Sequence, residues 1–148
     1  PELDGMQTLG YIMSETPRAV VMLSAASTQG GVDLTLRCLE LGAELDDVVS
    51  VVVGTTQQVA RWWTTPLTLL FLDGNHTSEV AQHDYAAFAR HLVPGAILCV
   101  HDVFEDPADG GRPPYEVVLR ALSSGAFVQE EQHGSLRVLR RTGDLWPD

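Results

Sequence analysis

Two apolar runs, 67–72 (LTLLFL) and 96–100 (AILCV), each stop abruptly at polar residues. Asp73, Asn75 and His76 follow the first, and His101 and Asp102 follow the second. Apolar runs without regular alternation are the pattern of strands buried on both faces, as in a parallel sheet. The segment between them, SEVAQHDYAAFARHL, is long enough to be the crossover helix of a βαβ unit. Such a connection brings both strand ends to one edge of the sheet, and the carboxyl ends of strands are where open α/β sheets hold ligands. Two acidic and two imidazole side chains are therefore expected to converge there.

The rest of the chain supplies elements around this unit. Residues 1–5 read as a loop and 6–14 as a helix, with Leu9, Ile12 and Met13 on one face. Residues 18–23 (RAVVML) are a strand candidate closed by Ser24-Ala25-Ala26, and Gln29-Gly30-Gly31 breaks the chain. A helix starts near Asp33, with Leu36, Leu39 and Ala43 at i, i+3 and i+7. Residues 48–53 (VVSVVV) form a further strand stopped by Gly54, and 56–63 a short helix whose Trp62–Trp63 pair covers core. After the βαβ unit, 105–114 holds too many Pro, Gly and Asp residues for regular structure. A helix is expected at 115–122, strands at 126–129 and 135–140, and a turn at His133-Gly134 joining them as an antiparallel hairpin. Six strands alternating with helices predict a single α/β domain, a doubly wound three-layer sandwich with a mostly parallel sheet. Numbered along the chain, the expected strand order is about 2-1-3-4-6-5.

Composition narrows the functional classes. A chain of 148 residues with 45% hydrophobic and 20% charged residues is an ordinary globular domain, large enough for a substantial core. A net charge of −11 argues against nucleic acid or an anionic membrane surface as partner. Lysine is absent, which removes Schiff-base and lysine–phosphate chemistry. Cys38 and Cys99 fall inside predicted elements and are expected as buried free thiols. No apolar run approaches the ~20 residues of a membrane span, and nothing reads as a signal peptide. The expectation is a soluble cytoplasmic domain.

From about residue 46 to 142 the chain resembles class I S-adenosylmethionine-dependent methyltransferases of the metal-assisted O-methyl-transfer branch. The residues that carry the resemblance are VVSVVVG, LLFLDGNH, HLVPGAILCVHDVF, PPYE and the terminal SLRVLRR. The resemblance implies a divalent metal, Mg²⁺, held by Asp73, His101 and Asp102, with Asn75 or His76 beside the acceptor hydroxyl. The chemistry suits those residue types. A hard cation on oxygen ligands lowers the pKa of an acceptor hydroxyl, and a nearby base removes its proton. The plainer reading of Asp73 is a cap for the helix that starts near Thr77 or Ser78. The cofactor end of that family has no counterpart here. Residues 19–23 run into Ser24-Ala25-Ala26-Ser27-Thr28, without a G-x-G turn or a ribose-binding carboxylate, and Thr55 stands where the family has an acid after the next strand.

Residues 1 to about 43 resemble a different family, the receiver domains of response regulators, and among them those of chemotaxis methylesterases. PELDGMQTLGYIMSETPRAVVMLSA and TLRCLELGA carry this resemblance, which implies Ser24 as the switch hydroxyl, the plainer reading being a strand-end hydroxyl that bonds local backbone. The family's lysine is missing, so phosphotransfer is not expected. Taken together, the two resemblances suggest an engineered chimera: a receiver-like fragment (1–45) joined to a methyltransferase-like fragment (46–148) within one domain. The expected activity is none, with no catalytic or cofactor-binding residues and at most a vestigial Mg²⁺ site at Asp73, His101 and Asp102. The alternative is a divalent-metal-dependent S-adenosylmethionine O-methyltransferase. Residues 26–31 and 43–47 should show cavities or mobility at the join, and 48–53 is a candidate edge for self-association.

Overall fold

The computed structural model describes residues 20–24 as backbone, and 55–74 and 77–143 in full. The helices expected at 6–14 and 33–43, the strand at 48–53, the join at 26–31 and 43–47, Cys38, Asn75 and His76 lie outside these residues. Along the chain the elements are β1 (Val20–Ser24), α1 (Thr56–Ala60), β2 (Leu67–Asp73), α2 (Ser78–Ala89) and β3 (Leu92–Val100). They are followed by α3 (Pro107–Gly110), α4 (Pro113–Ser123), β4 (Phe127–His133) and β5 (Leu136–Arg141). The strands form one mixed sheet in the order β1-β2-β3-β5-β4. β1, β2 and β3 are parallel, and the β4–β5 hairpin adds antiparallel strands beside β3.

Burial follows the side-chain alternation of the strands. Leu70, Leu72, Leu98 and Val100 face the helices and share a core with Tyr85 and Phe88 of α2 and Val117 and Ala121 of α4. Leu69, Phe71, Ile97, Cys99, Leu136 and Val138 make a second buried cluster on the other face. Strands buried on both sides explain why β2 and the end of β3 read as continuous apolar runs. Helix α2 docks through Ala81, Tyr85 and Phe88, a helical stripe, and the Trp63 ring meets Phe88 edge-on at 5.7 Å.

Several boundaries differ from the sequence expectation, each for a local reason. Residues 105–114 are not irregular. The Asp106 carboxylate accepts from the Ala108 amide at 2.9 Å, Pro107 opens α3, and Pro113 and Pro114 open α4. Proline in the first turn sacrifices no helical hydrogen bond, so these breakers mark starts rather than gaps. β3 begins at Leu92 instead of Ala96. Leu92 pairs with Leu67, its carbonyl accepts from the Arg141 guanidinium, and the ladder resumes only at Leu69 opposite Ile97. Pro94 and Gly95 occupy the irregularity between, where Gly95 has φ +84°. β4 runs to His133 because β5 pairs along its whole length, which moves the turn to Gly134-Ser135. Helix α1 ends at Ala60, and Trp62, at 59% exposure, does not cover the core as Trp63 does.

Candidate metal centre

The β2–β3 register assembles the site. Leu72 lies opposite Val100 in this parallel pair, and the His101 amide donates to the Leu72 carbonyl at 3.0 Å. The next residues, Asp73 and His101, must therefore emerge side by side at the carboxyl edge. Ser24, the last residue of β1, is in register with Asp73 at the same edge.

Three residues meet there. His101 Nδ1 lies 3.3 Å from Asp73 Oδ1 and 3.2 Å from Asp102 Oδ1. One donor atom from each of Asp73, His101 and Asp102 falls within 4.8 Å of the others, and all three side chains are half-buried. The His101 ring stacks on Phe71, with centroids 6.3 Å apart and planes at 25°, which fixes its orientation. Asp102 adopts φ +54°, the left-handed region, which L residues occupy only at a cost of about 1–2 kcal/mol. The Val103 amide then donates to the Ser135 carbonyl at 2.9 Å, so the backbone is held on both sides of this residue. Despite the short separations, His101 Nδ1 is buried without a well-angled hydrogen bond to protein.

An acid that sequence reasoning passed over lies behind the centre. Asp84, on α2, is 6% exposed. It lines a cleft of about 310 Å³, including its open mouth, together with Gly74, His101, Leu72, Val100 and Val117. Burial pushes its carboxyl above the usual range, while a hydrogen bond from Thr56 and the nearby His83 act in the opposite sense. The signal available in the sequence was its spacing. Ala81, Asp84 and Phe88 stand at i, i+3 and i+7, which places a carboxylate on the apolar face of the helix. Cys99 is a free, buried thiol pushed up to about 12 by desolvation, so it is no nucleophile.

Known proteins add a family and three partial likenesses. A family model described as "Methyltransferase domain" matches residues 12–103, which is more than half of the chain and crosses the join expected near 43–47. The chain is 51% identical over 43 residues to the protein-glutamate methylesterase/protein-glutamine glutaminase 2 of Nitratidesulfovibrio vulgaris. That match covers 29% of this chain and 11% of the relative. A second protein of that name, number 1 of Oleidesulfovibrio alaskensis, is 28% identical over 141 residues, covering 93% of this chain and 32% of the relative. The chain thus spans at most about a third of the length of these curated relatives. Among solved structures, the MycE methyltransferase of the mycinamycin biosynthetic pathway, in complex with Mg, SAH and mycinamycin VI, is similar at 20% identity and a TM-score of 0.42. It covers 59% of this chain and 28% of that one, a likeness too weak to carry an argument. The match over 12–103 is what decides the family: the chain belongs to the methyltransferase domains.

Proposed function

We propose that the carboxyl edge of this sheet is a divalent-metal centre that prepares a hydroxyl group for methylation by S-adenosylmethionine. The observation that carries this reading is the meeting of Asp73, His101 and Asp102 within 4.8 Å at two adjoining strand ends. The donor set fits the ion. Two carboxylates and an imidazole suit a divalent cation, and the unsatisfied Nδ1 of His101 is the kind of buried polar atom that ligation would satisfy. When bound, such an ion lowers the pKa of an acceptor hydroxyl and fixes its oxygen. The chain's own residues supply the remainder: Phe71 orients the His101 ring, and the held backbone around Asp102 aims its carboxylate. Asn75 or His76, which follow Gly74 in the sequence, are proposed to stand beside the acceptor hydroxyl, and of the two only the His76 imidazole is a base able to receive its proton.

Calorimetric titration with Mg²⁺ or Mn²⁺ tests the centre. Saturable binding that is lost in Asp73→Asn and His101→Ala supports it, and binding indifferent to both substitutions rejects it.

A second reading is a two-part hybrid that keeps this centre but has no methyl transfer. It is favoured by the 51% identity to a methylesterase over 43 residues, the length of the receiver-like stretch in the sequence. The absence of a G-x-G turn after residues 19–23 agrees with it. Titration with S-adenosylmethionine separates the readings: saturable binding favours the methyltransferase, and metal binding without cofactor binding favours the hybrid.

A further inference from the structure

Gly74 poses a question that its backbone does not answer. It is not among the glycines with positive φ, so a side chain there would meet no conformational penalty. The constraint is proximity. A Cβ built on Gly74 would stand 3.0 Å from Asp84 Oδ2, closer than van der Waals contact allows without movement. The carboxylate of α2 is thus packed against Gly74, the residue that immediately follows Asp73. Strand alternation sends the Asp73 side chain to the Phe71 face, where His101 stacks, whereas Asp84 comes from the helix side. Asp84 thus reaches this backbone from the helix side, in the cleft that it shares with Gly74 and His101.

Asp84 is also tied down. Thr56, in the first turn of α1, acts on the same carboxyl and opposes the effect of burial, so α1, α2 and Gly74 converge on one side chain. An ionisable group among Leu72, Val100 and Val117 is unfavourable for packing, and an apolar residue would fill that space at lower cost. Its presence calls for a polar task.

We propose that Asp84 is a positioning residue that, from the helix side, fixes the backbone at Asp73–Gly74 and thereby sets the separation of Asp73 from His101. This deepens the metal-centre reading and rests on it for its purpose, though the positioning itself is a property of the metal-free chain. Asp84 acts through Asp73.

The test uses two readouts on folded protein, checked by circular dichroism. In metal-free samples, imidazole ¹⁵N shifts of His101 are recorded for wild type, Asp84→Ala, Asp73→Asn and the double variant. The expected result is that Asp84→Ala moves His101 in the wild-type background and produces no further movement once Asp73 is Asn. Mn²⁺ affinity is expected to fall about tenfold in Asp84→Ala, the low end of what support behind metal ligands is worth. It should return in Asp84→Asn, which keeps the side chain's shape and one acceptor oxygen. Wild-type shifts and affinity in Asp84→Ala overturn the proposal, as does a shift that persists in the Asp73→Asn background, because that effect bypasses Asp73. If wild type binds no Mn²⁺, the metal reading fails, and the metal-free cycle still decides the role of Asp84. Should Asp84→Ala not fold, Thr56→Val replaces it: a smaller His101 shift in the same direction supports positioning, and none overturns it.

Discussion

Asp84 is where single-residue energetics and site geometry pull in opposite directions. Burial raises its carboxyl above the usual range. At low pH both the folded and the unfolded chain hold the proton, and the residue carries no charge penalty. As pH rises the unfolded chain releases the proton first, so folding loses stability until the folded state also ionises. Asp84→Asn should therefore be at least as stable as wild type at pH 7. The difference should disappear in acid, and urea unfolding at the two pH values checks it. Burial likewise raises the Tyr85 hydroxyl to about 12, with Arg120 and Arg141 acting against it. Unfolded tyrosine ionises near pH 10, so stability should decline between pH 10 and about 12. Denaturant midpoints and phenolate absorbance should move together across that window, and Tyr85→Phe should flatten the decline.

At the scale of elements, the βαβ unit is held by α2 on the sheet. Phe88 is fully buried between β2, β3 and Trp63, and the aromatic edge contact fixes where the helix lies. Phe88→Ala should cost about 3–5 kcal/mol in denaturant unfolding, a large fraction of a domain's stability. Nearby, Ser78 donates to Glu116 at 3.2 Å and Arg120 to Gln82 at 2.8 Å, which ties α2 to α4 across exposed surface. Those contacts are solvent-screened, so truncating Arg120 should cost far less than removing Phe88. This unit was legible because its signals are local: apolar runs, a helix-length segment between them, and polar residues where each run stops. The edges of β3, β4 and α3 were not. They depend on a partner strand, on a guanidinium at a carbonyl, and on prolines whose meaning changes with their place in a helix.

The whole molecule combines a strongly acidic chain with a cluster of two carboxylates and an imidazole at the sheet edge. An ion that binds the folded form alone stabilises it by mass action, about 2.7 kcal/mol at a hundredfold excess over Kd. Millimolar Mg²⁺ or Mn²⁺ should thus raise the thermal midpoint, chelation should reverse the rise, and Asp73→Asn should abolish it, all readable by scanning calorimetry. The described sheet ends at β4, whose exposed Glu130 and Glu131 discourage pairing with another strand. Among the described residues, no helix is long and apolar enough to cross a membrane.

By itself the sequence determined the elements of the central unit and the identities of Asp73, His101 and Asp102, since apolar run length and the residues that end it are properties of neighbouring positions. It also carried the family. Tertiary structure decided what neighbouring positions cannot encode. The Leu72–Val100 register makes Asp73 and His101 adjacent, and the left-handed turn at Asp102 brings a second carboxylate to the same imidazole. The packing of α2 places Asp84 behind Gly74, ten residues away in the chain and in contact only once the helix lies against the sheet.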